Sequence, residues 1–255
     1  NSWVGEWPGV RPTFVNLNRE KSSSPDELDE SFYSSESSGR TSVETEEDGA
    51  RVVVRDAHRE ADTPLEIFFV RRHAKSAYLG GAVVFPGGKL DESDHQPRAF
   101  SVRGIPVRAE ELESDPTMAQ ALGLCAFREL LEEAAIALTT PEVDHDMGVK
   151  MQASMLQGQS LNETLGAAGL DVDLSALHSF GRWVTPIAET RRFDARFFVA
   201  RAPSQQHGKH DDHETTSGLW APPRAMLDAG RRGDVMLAPP TIRCLELMQD
   251  AKSAH

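Results

Sequence analysis

Apolar and polar residues fall along this chain in blocks that predict a modest set of strands and helices. Val52-Val53-Val54, within residues 50–55, predicts a first strand; residues 65–71 predict a second across a polar turn at 56–64. Ala82-Val83-Val84 predicts a strand that stops in the glycine turn Phe85-Pro86-Gly87-Gly88. No long helical pattern separates the first strands, so an antiparallel or mixed sheet is expected rather than a doubly wound one. Asp115-Pro116 has the form of an N-cap followed by proline at the first helical position. The helix predicted from there runs to about residue 139, with Phe127, Leu131, Ala134 and Leu138 on its apolar face. Residues 150–165 have helical spacing, and their methionines read as core filler. Strands follow at 178–186 and 192–201, then one through Leu219-Trp220. A helix opened by Pro222 or Pro223 reaches residue 229, and a last one spans 240–252. The fold class is α+β.

Composition changes where the chain is divided. Residues 20–48 hold ten carboxylates against Lys21 and Arg40, with many serines, a makeup that buries little surface. Residues 1–18 are richer in apolar side chains, including Trp3, Trp7 and Phe14. Residues 1–49 are therefore read as a disordered or loosely docked arm, and 50–255 as one domain. The net charge of −13 argues against a nucleic-acid or anionic-membrane surface, where Lys and Arg would dominate. It does not argue against a phosphorylated small molecule, because bound divalent cations invert the local field. The two cysteines, Cys125 and Cys244, make no disulfide framework and suit a reducing compartment. No apolar run is long enough to span a membrane, and no signal peptide is visible in a sequence that begins at Asn1. A cytoplasmic location is the expectation.

The chemistry concentrates between Phe85 and Ile136. Glu129, Glu132 and Glu133 share one helical face. Like charges so placed repel by roughly 0.2–0.5 kcal/mol per pair on a bare helix. Such a triplet alone is most often a solvated face. Preceded by a strand and a Gly-Gly turn, whose backbone can approach a ligand closely, it reads as a cation site. Hard oxygen ligands of this kind suit Mg²⁺ or Mn²⁺. Arg71, Arg72, His73 and Lys75 form a basic patch in an acidic chain, fit either to bind substrate phosphate or to face water. The polar stretch 204–217, with His207, His210, Asp211, Asp212, His213 and Glu214, reads as a solvated loop rather than a zinc site, because no thiolates accompany it.

These residues resemble the Nudix box, G-x5-E-x7-R-E-U-x-E-E-x-G-U, where U is a bulky aliphatic residue. Gly88, Arg128, Glu129, Leu130, Glu132, Glu133 and Ile136 match it. Asp94 stands where the family has Glu, and Ala135 where it has Gly. Without that glycine the helix is free of a left-handed stop and is expected to run on toward Pro141. The box is split by 26 extra residues, 95–120, expected to form part of a substrate lid or a dimer contact. A split box is similar to the coenzyme A diphosphatase branch and its bacterial relatives, as are Thr185-Pro186 and Phe193-Asp194. In that branch's upstream signature, Gly81 and Arg72 match, but His73 replaces Ser and Ala77 replaces a second Arg.

The resemblance implies an α/β/α sandwich around a mixed sheet, and metal-dependent hydrolysis of a nucleoside-linked diphosphate, foremost coenzyme A or acyl-coenzyme A. ADP-ribose or a nucleotide sugar is the alternative substrate, and a non-catalytic nucleotide-binding module the alternative role. Glu129, Glu132, Glu133 and the Gly87 carbonyl would hold Mg²⁺ or Mn²⁺. Arg71, Arg72 and Gly88 would meet the substrate. Arg128 would fix carboxylate rotamers, and Glu129 or the loop residue Glu214 would act as general base.

Overall fold

The computed structural model describes residues 13–14, 45–57, 65–76, 78–96, 98–186, 192–251 and 253–254. Its main sheet runs β1 (Thr13–Phe14), β9 (Leu177–Val184), β10 (Arg192–Arg201), β2 (Thr45–Asp56), β3 (Leu65–Arg72) and β11 (Thr215–Ala221). The short strands β4 (Val83–Val84) and β5 (Gly87–Lys89) pair with β3 and β2. β10 and β2 are parallel and the other pairs antiparallel, so the sheet is mixed, as the sequence indicated. β2 begins at Thr45, five residues before the expected strand. Thr45 to Asp48, part of the acidic run, pair with β10, because a neighbouring strand satisfies their backbone whatever their side chains. The rest of the run at 20–48 lies outside the described residues.

Both faces of the sheet are covered, which is why residues 52–54 of β2 and 67–70 of β3 are unbroken apolar runs. Val53, Phe68 and Val70 pack under α1 (Pro116–Ala134). Val52, Val54, Ile67 and Phe69 pack on the opposite side with Met226, Leu227, Cys244 and Leu245, from α4 (Pro223–Arg232) and α5 (Pro239–Met248). These three layers form an α/β/α sandwich. α1 crosses β2 at Gly49, where a Cβ would lie 3.2 Å from the Leu122 carbonyl oxygen. The helix starts as expected: the Asp115 carboxylate accepts from the Thr117 amide at 2.9 Å, with Pro116 next.

It does not run on to residue 139. Ala135 itself takes the left-handed conformation, φ 52°. That costs an alanine roughly 1–2 kcal/mol. The stop turns Ile136, Ala137 and Leu138 into the core, and burying one large aliphatic side chain is worth about 1.5–3 kcal/mol. Buried Gln206 fixes the new direction, accepting from the Ala137 amide at 2.8 Å and donating to the Ala137 and Val143 carbonyls. Thr139–Thr140 then form β7.

The single helix expected over 150–165 is two: α2 (His145–Leu156) and α3 (Leu161–Ala168). Between them Gly158 has φ 95°, and Ser160 and Glu163 make a reciprocal capping box that starts α3. The insertion is structured too. Its strand β6 (Val102–Arg103) lies parallel to β8 (Asp171–Asp173), which pairs with β7. The Ala99 amide donates to Asn162 at 2.6 Å, and Glu113 pairs with buried Arg196 at 2.9 Å.

α2 passes close beneath the end of α1. A Cβ on Gly148 would lie 2.5 Å from the Ala135 carbonyl oxygen. Gly148→Ala gains about 0.5–1 kcal/mol of helix preference but forces backbone apart, at about 1–3 kcal/mol or more. The variant is therefore expected to lower the urea midpoint of unfolding, a net loss of about 1–2 kcal/mol.

Candidate functional site

The site is built where β4 turns into β5 above the C-terminal half of α1. Phe85 anchors the turn from below, buried and stacked on Phe69 at 5.4 Å, with an edge contact to Phe197 at 6.4 Å. The Gly87 amide donates to Glu133 Oε2 at 2.9 Å. Gly88 lies directly against Glu129: a Cβ there would fall 2.4 Å from the carboxylate carbon, so a larger residue would push that carboxylate aside. The Cys125 thiol, one turn back on α1, sits 3.5 and 3.3 Å from the Gly88 and Lys89 carbonyl oxygens.

Arg128 ties the two halves together. Its Nε and Nη2 donate to the two oxygens of Asp94 at 3.1 and 3.0 Å. Nη1 donates to Glu129 at 2.7 Å and Glu132 at 3.2 Å, and Nη2 also reaches the Lys89 carbonyl at 2.9 Å. Asp94, shorter than the Glu of the resembling box, still makes a fork. It sits in a 3-10 turn over Glu92–His95, whose own capping box binds the Asp91 amide to Asp94 at 2.9 Å. Burial opposes the charge on Arg128, but the Asp94 and Glu129 carboxylates outweigh it, so its pKa rises.

Glu133 is buried, 5% exposed. Burial first, and the Glu129 charge second, push its pKa well above the ordinary carboxylate value. Burial likewise raises Glu132 to about 7, against the pull of Arg128. Glu214, on the loop before β11, is exposed and close enough for its charge to bear on Glu133. The His73 amide donates to the Glu214 carbonyl at 2.8 Å. The loop is shaped by buried Asp211, which accepts from the amides of Glu214 and Thr215 at 3.0 and 2.9 Å. Burial works against the Asp211 charge, but the Thr215 and Glu214 hydrogen bonds win and its pKa falls.

The basic patch divides. Strand alternation puts Arg72 on the face of Val70 and Phe68, beneath α1, and Arg71 on the other. The Arg72 charge bears on Glu133, and its Nε is buried with no hydrogen-bond partner among the described residues. Arg71 is therefore set apart from Glu129, Glu133 and Gly88. Sequence reasoning missed the Cys125 contact and the Asp211 turn. An Asp four residues before a Thr was the available sign of the second.

The donor set is of the hard-oxygen kind that a divalent cation takes. Asp94, Glu129, Glu132, Glu133 and Glu214 gather around two guanidinium groups, Arg128 and Arg72, leaving an excess of negative charge. The oxygens do not yet converge: Glu129 and Glu132 turn to Arg128, and Glu133 to Gly87. In the 204–217 loop, His210 pairs with Asp212 at 2.9 Å. Among the described residues no cluster of three His, Cys, Asp or Glu side chains takes a metal-holding arrangement, there or elsewhere. No helix among them is long and apolar enough to cross a membrane.

Comparison with known proteins agrees with this construction. A Nudix hydrolase structure from Alicyclobacillus acidocaldarius superposes with a TM-score of 0.70 and 30% identity, covering 84% of this chain and 95% of that one. The NUDT19 Nudix domain family matches residues 100–248. The acyl-coenzyme A diphosphatase NUDT19 of Gallus gallus is 26% identical over 221 residues, 69% of this chain and 58% of that protein. The Xenopus laevis protein of that name is 24% identical over 217 residues, 69% of this chain and 57% of its own. The chain spans less than two thirds of the length of these relatives. The fold and the glutamate helix are those of a Nudix hydrolase, and within that superfamily the chain belongs to the NUDT19 Nudix domain family. Nudix hydrolases generally use divalent metal ions.

The raised Glu132 and Glu133 set a pH dependence for metal-free protein. Their folded pKa values lie above the unfolded one, so their contribution is full below about pH 4.5; that of Glu132 is lost as pH rises through about 7, and that of Glu133 also falls as pH rises. In chelator, Tm is expected to fall between pH 5 and 8. Mg²⁺ should reverse the fall, and Glu133→Gln should flatten it. A Tm that climbs over this range in chelator contradicts the crowding described here.

Proposed function

We propose that this domain hydrolyses the diphosphate linkage of coenzyme A or an acyl-coenzyme A. The observation that carries the reading is the lock of Glu133 on the Gly87 amide, with Arg128 holding Glu129 and Glu132 beside it. It brings the Gly-Gly turn and the three glutamates into one centre. The names of the relatives and the split box support the substrate. Glu129, Glu132, Glu133 and the Gly87 carbonyl would hold Mg²⁺ or Mn²⁺. The ion supplies charge neutralisation and a lowered pKa for bound water.

The chain's own residues do the rest. Arg72 meets a substrate phosphate from the α1 face, a role for which Arg71, on the opposite face, is poorly placed. Gly88, with no side chain, lets the Glu129 carboxylate lie against the turn. Arg128 is a positioning residue that holds Glu129 and Glu132 in fixed rotamers. The water's oxygen bonds to one phosphorus, the bridging oxygen leaves with the other phosphate, and a carboxylate takes the proton. Glu214, exposed on its loop, suits that task better than Glu129, whose Oε1 is engaged by Arg128. The products from coenzyme A are 3′,5′-ADP and phosphopantetheine.

Cys125 and Cys244, buried and not joined in a disulfide, support an intracellular setting. Thr13–Phe14 and the start of β2 at Thr45 join the main sheet, which supports an arm docked in part on the domain and otherwise dispensable for chemistry. A second reading, an ADP-ribose or nucleotide-sugar diphosphatase, is favoured by His73 and Ala77 in place of the signature's Ser and Arg.

The test is product analysis with Mg²⁺ or Mn²⁺ across coenzyme A, an acyl-coenzyme A, ADP-ribose, a nucleotide sugar and NADH. Preferred release of 3′,5′-ADP is the expected result, and Glu133→Gln should cut turnover on the order of a hundredfold or more. Preferred cleavage of ADP-ribose overturns the substrate, and undiminished turnover by Glu133→Gln overturns the centre.

A further inference from the structure

Tyr78 is a large aromatic left 40% exposed on the loop from β3 to β4. Its ring lies 5.0 Å from that of Phe193, at 47°. The loop is the basic one: it leaves β3 at Arg72 and carries His73 and Lys75. Phe193 opens β10 opposite Glu46 of β2, and Glu46 holds Lys89, the residue after Gly88, at 2.7 Å. Two strand spacings and a two-residue offset put Phe193 about 12 Å from Lys89. An extended nucleoside diphosphate covers that separation. Strand alternation puts Phe193 on the sheet face of Phe197 and Phe85, so a ligand stacked there would cross the sheet at β5, which among the described strands pairs with β2, to reach α1.

We propose that Tyr78 and Phe193 form the platform on which the adenine of the substrate stacks, with His73 and Lys75 meeting the phosphate on its ribose. The inference rests on the diphosphatase reading above and assigns the end of the substrate that this site grips. An aromatic shelf on a loop that also carries Lys75 and the imidazole of His73 complements a ligand that is both a flat π-system and an anion. The second Arg of the coenzyme A signature is Ala77 here, and Tyr78 follows it directly.

The experiment is calorimetric titration of the full chain with 3′,5′-ADP and, separately, with phosphopantetheine, alongside kinetics on coenzyme A. Because Tyr78 is well exposed, Tyr78→Ala is expected to fold. It should weaken 3′,5′-ADP about tenfold, within the range that base–aromatic stacking supplies, and raise KM for coenzyme A similarly. Phosphopantetheine binding should not change, and Tyr78→Phe should restore the affinity. If coenzyme A is cleaved but 3′,5′-ADP binds equally to wild type and Tyr78→Ala, the platform is overturned and the hydrolase reading stands. If 3′,5′-ADP binds through Tyr78 but coenzyme A is not cleaved, the platform stands and the proposed substrate falls. Failure of wild type to bind or cleave overturns both.

Discussion

The Arg128 fork is the interaction on which the site depends. Five carboxylates crowd the region between β5 and the C-terminal half of α1, and two of them, Asp94 and Glu133, are almost fully buried. Charges taken from water cost several kcal/mol each unless paired in good geometry. Arg128 supplies that geometry to Asp94, Glu129 and Glu132 together, and its contact with the Lys89 carbonyl fixes the Gly-Gly turn over the helix. Removing one partner of a buried pair typically costs about 3–5 kcal/mol. Loss of Arg128 would therefore disturb the turn, the helix face and the insertion's root at once.

The same fork explains how a box split by 26 residues can still close. The upstream half is fixed locally, by the capping box of Asp91 and Asp94. The downstream half starts afresh at the Asp115 cap. Arg128 joins two pieces that are each already ordered, and a longer loop adds little closure entropy between fixed ends. The insertion meanwhile builds its own support, with β6 against β8 and Glu113 on Arg196, so it reinforces the scaffold rather than hanging from it.

Much of this was legible because the signals are local. The Val run of β2, the glycine turn, the Asp115-Pro116 start of α1 and the shared face of the glutamates all follow from residues a few positions apart. The stop at Ala135 was not legible, because its cause is tertiary: burial of Ile136 to Leu138 and the Gln206 clamp, 69 residues from Ala137. The break between α2 and α3 was legible in principle, since Gly158 and the Ser160-x-x-Glu163 box announce it; methionine-rich helical spacing masked it. The start of β2 at Thr45 runs against composition, because pairing with β10 outweighs an acidic sequence. For Arg71 and Arg72 the patch was visible, but only the strand register separates the one facing α1 from the one facing away.

The most direct test of the centre is Mn²⁺ binding to the purified full chain, read by electron paramagnetic resonance as loss of the free-ion signal. Wild type should take up Mn²⁺, and Glu133→Gln should lose most of that uptake while retaining the wild-type circular dichroism spectrum. Equal uptake by both proteins would contradict the assignment of the α1 glutamates and the Gly87 turn as the metal centre.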